Sequence, residues 1–229
     1  MAETALWAMT ADEFVPWAMA QPEGCRYELV AGQVVAMAPE RASHNEGKGN
    51  VYIALRQAIR AAGLPGRIYI DGMAVRVDAD TVYEPDALVR CGERLGPNVV
   101  EVVDPVILVE VISPSTHKVD TTQKLGDYFR IPSVRHYLIV NASRRTVVHH
   151  QRLADGTIRT ALAAAGSLAL EPPGIALAVD SLFPDQTIPW TGERHERGDP
   201  EHRPTIFEVR TSAPSAEMTH VSCPLPSVY

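Results

Sequence analysis

The chain has 229 residues, of which 45% are hydrophobic and 21% charged, with a formal net charge of −7. This is the composition of a globular domain with a sizeable core, and no apolar run approaches the ~18 residues needed to cross a bilayer. The acidic balance argues against a protein that coats nucleic acid, which draws on a Lys/Arg surplus. The amino terminus lacks the basic and apolar segments of a signal peptide. Cys25, Cys91 and Cys223 are odd in number and far apart, without the spacing of a zinc site or a disulfide framework. A cytoplasmic location is expected.

In chain order, Thr10 and Glu13 have capping-box spacing ahead of a short helix through "DEFVPWAMA", which Pro16 should disturb. "YELVAGQVVAMAP" reads as a hairpin turning at Ala31 and Gly32. "SHNEGKGNVYIALRQAIRAAG" reads as an amphipathic helix opened by Ser43 and closed by Gly63. "RIYIDGMAVRVD" and "DALVR" follow as strands, and "PVILVEVIS" as a buried one. Asp120 is placed to cap a helix, "TTQKLGDYFRI", with Leu125, Tyr128 and Phe129 on one face. "VRHYLIVN", "RTVVHHQRL" and "IRTALAA" complete the sheet. Hairpins with two main helices imply an α/β (α+β) fold. The domain is expected to span 1–185, and 186–229 reads as a Pro-rich, disordered tail.

Side chains alternate along a strand, so Glu110 interrupts an apolar face shared by Val106, Leu108 and Ile112. A buried carboxylate costs several kcal/mol, roughly, unless a cation compensates it. Asp86, behind Pro85 at the start of "DALVR", would add a second carboxylate if the two strands are neighbours. Such a pair suits a hard cation, Mg²⁺ or Mn²⁺, whose shell is completed by water and phosphate oxygens. The alternative for Asp86 is a turn cap.

Other groups carry less chemistry. His149 and His150 are adjacent on a strand, so they leave opposite faces and read as structural. His195 and His202 lie in the tail, and no glycine-framed elbow surrounds Ser113 and Ser115. Arg56, Arg60 and Arg67 are too loosely spaced to form an evident patch, as are Arg144 and Arg145, and all read as solvated charges.

"PD", 23 intervening residues, then "EVI" resembles the PD-(D/E)XK nuclease superfamily. The wider pattern "YELVAGQVVAMAPERASH", "EPDALV" and "PVILVEVISPSTHKVDTTQKLGDYFRIPSVRHYLIVN" resembles the Uma family of putative restriction endonucleases, over roughly residues 10–185. The resemblance implies a restriction-endonuclease-like mixed sheet flanked by helices, and a metal-dependent endonuclease acting on DNA as a homodimer. Asp86, Glu110 and the main-chain carbonyl of Val111 would hold the ion. Ile112 stands where the superfamily has its lysine, and Lys124, in the spacing Asp120–Lys124–Tyr128, is the substitute. Glu28 would bind a second metal or steady the attacking water, and His44 would touch phosphate. Their alternatives are an exposed strand residue and a helix-start hydrogen bond. An inactive scaffold that keeps the fold, or a nuclease for RNA or for branched or single-stranded DNA, remains open at this stage.

Overall fold

The computed structural model describes residues 8–112 and 118–184. The tail expected over 186–229, and Ser113, Ser115, His195 and His202 with it, lie outside the described residues.

α1 (Ala11–Met19) opens on the expected capping box, Thr10 Oγ1 accepting from the Glu13 amide while Glu13 accepts from the Thr10 amide. It runs on past Pro16. A proline here removes one amide donor, and the capped first turn and the apolar contacts of Phe14 hold the helix regardless. β1 (Tyr27–Val30) and β2 (Gln33–Ala36) form the hairpin, turning at Ala31 and Gly32, both at positive φ. β1 also pairs with β5 (Val82–Tyr83), and β5 with β4 (Val75–Arg76), giving a small antiparallel sheet in the order β2-β1-β5-β4.

The main sheet has six strands in the order β10-β9-β8-β7-β6-β3. These are β3 (Gly66–Ile70), β6 (Ala87–Cys91), β7 (Pro105–Ile112), β8 (His136–Asn141), β9 (Thr146–Arg152) and β10 (Ile158–Ala163). All neighbours are antiparallel except β7 and β8, which run parallel. A parallel pair needs a crossover, and α3 (Lys118–Tyr128) lies in that connection.

Period-two alternation along β7 divides the core. Ile107, Val109 and Val111 face α2 (Ala42–Ala61), packing with Val51, Leu55 and Ile59. Leu108 faces the other side with Tyr128, Val134 and Tyr137. A second hairpin, β11 (Ser167–Leu170) and β12 (Ile175–Ala178), and a short 3-10 turn, η1 (Val179–Leu182), extend the α2 face of the core. The sequence reading missed this hairpin, since each strand has only four residues and the exposed positions are mostly alanine, so no polar alternation marks them.

Two helix starts differ from expectation. α2 begins at Ala42 with Arg41 at its cap and no side-chain cap hydrogen bond, so Ser43 lies inside it. α3 begins at Lys118, which places Asp120 within the helix rather than at its cap. Local hydrogen-bonding preference is worth about 1 kcal/mol at a helix end, and tertiary packing overrides it. Cys91 is a free thiol and Cys25 is disulfide-bonded, against the expectation drawn from the scattered cysteines.

Candidate active site

Asp86 lies one step beyond the Ala87–Val109 pair of β6 and β7, which sets it beside Glu110 across the two strands. Its Oδ2 accepts the Val111 amide at 2.7 Å and faces His44 Nε2, from the first turn of α2, at 3.0 Å. Asp86 is therefore tied to the strand it borders. Val111 contributes a main-chain amide to this contact and lines the same cavity as the two carboxylates.

Glu110 lies on the α3 face of β7, with Leu108 and on the opposite face from Val111. Its Oε1 accepts from Tyr128 Oη at 2.7 Å and from Lys124 Nζ at 3.2 Å. Lys124 also donates to Glu28 Oε1 at 2.9 Å, and Glu28 Oε1 accepts the Glu84 amide at 3.0 Å. Thus β1, β7 and α3 meet at one ammonium group. Lys124 further lies 5.1 Å from the centre of the Tyr83 ring, whose hydroxyl donates to Asp127. Tyr83, Tyr128 and Tyr137 pack edge to face behind it. These aromatic contacts restrict the rotamers of α3 side chains and wall the acidic group from solvent.

The five residues singled out from the sequence come together here. Glu28, His44, Asp86, Glu110 and Lys124 line one cavity of 550 Å³. In the contacts of the described residues, Asp86 uses Oδ2, and Glu28 and Glu110 each use Oε1. Asp86 Oδ1 and the Oε2 atoms of Glu28 and Glu110 make no hydrogen bond there. Carboxylates with one oxygen anchored and one open form a donor set that fits Mg²⁺ or Mn²⁺.

The electrostatics agree with that donor set. Burial pushes the Glu110 carboxyl up to about 8, and the charges of Asp86 and Glu28 add to the rise, against the opposing pull of Lys124 and Tyr128. Glu28 and Glu110 share Lys124 while Asp86 faces His44, so a further cation would relieve the three buried carboxylates. His44 is raised by its hydrogen bond to Asp86. Burial, with Glu110 beside it, raises the Tyr128 phenol well above its ordinary value, which keeps it a hydrogen-bond donor.

Sequence reasoning missed Glu40. Among the described residues, the one tight grouping of metal-ligating atoms is Glu40, His44 and Asp86, all within 4.8 Å of one another. Glu40 sits in the loop before α2 and is held by Lys48, which is buried to 3% exposure and also donates to Asp71 Oδ2 at 2.9 Å. The only local signal was position, four residues ahead of His44. A loop carboxylate has no periodicity to betray it. His149 and His150 leave opposite faces of β9, as their adjacency requires. His149 pairs with His136 at 2.9 Å, and His150 bonds Thr160 and stacks on Tyr137.

Residues 11–182 match the Uma2 family, described as "Putative restriction endonuclease". The chain belongs to that family. Two relatives from Synechocystis sp. (strain ATCC 27184 / PCC 6803 / Kazusa) bear the printed names "Uncharacterized protein sll1609" and "Uncharacterized protein slr1290". The first is 25% identical over 131 residues, 56% of this chain and 73% of that protein. The second is 25% identical over 177 residues, 76% of this chain and 91% of that protein. A solved structure, titled as a "putative nuclease belonging to DUF820" from Anabaena variabilis ATCC 29413, superposes with a TM-score of 0.61 at 14% identity. It covers 76% of this chain and 97% of its own. This likeness shows the restriction-endonuclease-like fold in the Uma2 chain. Among the described residues, no helix is long and apolar enough to cross a membrane.

Proposed function

We propose that this Uma2 protein is a metal-dependent endonuclease that hydrolyses phosphodiester bonds of DNA. One observation carries the reading: Asp86 and Glu110 lie side by side across β6 and β7, each with one anchored and one open oxygen, and Lys124 Nζ stands 3.2 Å from Glu110. Asp86, Glu110 and the Val111 carbonyl would hold Mg²⁺ or Mn²⁺, with Glu28 or the Glu40–His44 side as further ligands. The bound ion supplies Lewis-acid charge to the phosphoryl oxygens.

The residues of the chain supply position. Lys124, fixed by Glu28 and Glu110, presents its ammonium to the attacking water and to the oxyanion that develops at phosphorus. Tyr128 holds the Glu110 carboxylate in place from behind. His44, raised by Asp86, offers a proton or a hydrogen bond to a phosphate oxygen from the start of α2. Water adds to phosphorus, the bond to the leaving sugar oxygen breaks, and that oxygen takes up a proton. A homodimer, one copy for each strand of a duplex, and a cytoplasmic location belong to the same reading.

The test is cleavage of supercoiled plasmid with Mg²⁺ or Mn²⁺ by the full chain and by Asp86→Asn, Glu110→Gln and Lys124→Ala, each checked for folding by circular dichroism. The expected losses are 100-fold or more for the two carboxylates, on the order of what an electrostatic group contributes. Cleavage by Glu110→Gln at the parental rate would refute the mechanism. A parent inert on duplex DNA, single strands and RNA would favour a scaffold that keeps the fold.

A further inference from the structure

Away from the acidic cavity, a second cleft of 360 Å³ opens between the carboxy-terminal half of α2 and the edge strand β3. It is lined by Tyr52, Arg56 and Arg60 from α2 and by Arg67 from β3, with Ile59 and Leu64 at its floor. No carboxylate lines it. Among the described residues, none of these three arginines makes an ion pair, although Asp and Glu outnumber Lys and Arg, 28 to 21, in the whole chain. Elsewhere among the described residues, Arg26, Arg76, Arg90 and Arg130 are paired with acids, while others such as Arg144 and Arg145 have no ion pair either. What sets Arg56, Arg60 and Arg67 apart is that they line one cleft. Arg56 instead lies over the ring of Tyr52, 5.9 Å from its centre.

Position gives these arginines meaning. The helix that presents His44 to the acidic cavity in its first turn carries Arg56 and Arg60 in its carboxy-terminal half. Twelve residues of helix rise about 18 Å. At 3.4 Å of duplex axis per nucleotide of one strand, that is about five base pairs.

We infer that the Arg56–Arg60–Arg67 cleft is a docking surface for the phosphate backbone of duplex DNA, flanking the scissile phosphate. The inference rests on the nuclease reading above and adds the path of the substrate to it. Guanidinium groups bind phosphate in forked geometry, and Tyr52 fixes the plane of one of them. A second copy of the chain fits this surface poorly. Related by a twofold axis at the cleft, the copies would bring unpaired arginines against each other. The contacts are to backbone, so they add affinity and register without base preference.

The test compares the full chain with the triple variant Arg56→Gln/Arg60→Gln/Arg67→Gln and with the corresponding triple Lys variant. Binding of a fluorescent 20-base-pair duplex is followed by anisotropy in EDTA across 50–300 mM salt. Hydrolysis of bis(p-nitrophenyl) phosphate, too small to span the two cavities, is measured with Mn²⁺. The Gln variant is expected to bind about 10- to 100-fold more weakly, with a salt slope shallower by about 2 to 3, since each phosphate contact contributes about 0.9. Its hydrolysis of the small ester should stay within twofold of the parent, and the Lys variant should keep most of the slope. An unchanged Kd and slope in the Gln variant overturns the surface and leaves the nuclease reading standing. So does a change in oligomeric mass with duplex binding intact, which would assign the cleft to a second copy. Loss of small-ester hydrolysis together with duplex binding also overturns it. A parent that cleaves neither plasmid nor small ester defeats the nuclease reading instead.

Discussion

Glu110 illustrates how one side chain can be costly to the fold and central to a site. Its carboxyl is buried, and burial with neighbouring negative charge raises it to about 8. A carboxyl raised in the folded state binds more protons there than in the unfolded chain, so stability falls as pH climbs from the unfolded value near 4.5 towards 8. In EDTA, thermal stability should therefore decline over that window, by an amount on the order of 5 kcal/mol at ~1.4 kcal/mol per unit. Glu110→Gln should flatten the decline, which differential scanning calorimetry at several pH values will measure. Lys124 bears on the same balance, and Lys124→Met should steepen the fall because it removes an ammonium that two carboxylates share.

At the scale of elements, the site depends on how closely α2 approaches β7. A Cβ added at Gly47 would lie 2.9 Å from Val111 Cγ1, on the strand that carries Glu110. Gly47→Ala should push the helix away, cost about 1–3 kcal/mol in unfolding free energy, and lower cleavage more than it lowers duplex binding, because His44 moves with the helix. Parallel denaturation and plasmid-cleavage assays separate the two effects. On the same face of the sheet, towards the β11–β12 hairpin, His136 Nε2 donates to the Pro172 carbonyl, so in its neutral form His136 Nδ1 accepts from His149. Burial lowers both imidazoles to about 4. The unfolded chain takes up protons first, near 6.5, so stability is lost as pH falls from about 6.5 towards 4. A loss on the order of 3 kcal/mol per imidazole is expected, and it should shrink in His149→Gln when urea midpoints are compared at pH 7 and pH 5.

For the molecule as a whole, the acidic net charge and the proposed polyanionic substrate meet through local arrangement. Carboxylates gather where the two sheets approach, and unpaired arginines gather along α2 and β3. A cation that binds only the folded state stabilises it by mass action, about 2.7 kcal/mol at a concentration 100 times its Kd. For a domain of this size that corresponds to a rise in Tm of roughly 5–10 °C. Saturating Mn²⁺ should produce such a shift in the parent and little in Asp86→Asn, as read by scanning fluorimetry.

Much of the architecture was legible before any coordinates. The period-two run "PVILVEVI", the capping box at Thr10 and the Ala31–Gly32 turn are local patterns set by backbone geometry and side-chain alternation, and they mark β7, α1 and the β1–β2 hairpin correctly. Glu110 stood out for the same reason, as a charge where alternation demands an apolar residue. The start of α3 and the passage of α1 through Pro16 escaped, because packing energy outweighs local preferences worth about 1 kcal/mol at a helix end and about 3 kcal/mol for an interior proline. The junctions of Asp86 with Val111, and of Lys124 with Glu28 and Glu110, join residues 25, 96 and 14 positions apart. Glu40, and the gathering of Arg56, Arg60 and Arg67 into one cleft, were equally invisible. Local alternation writes itself into neighbouring residues, whereas a site is assembled from strand register and helix docking, which bring together side chains that no short-range rule connects.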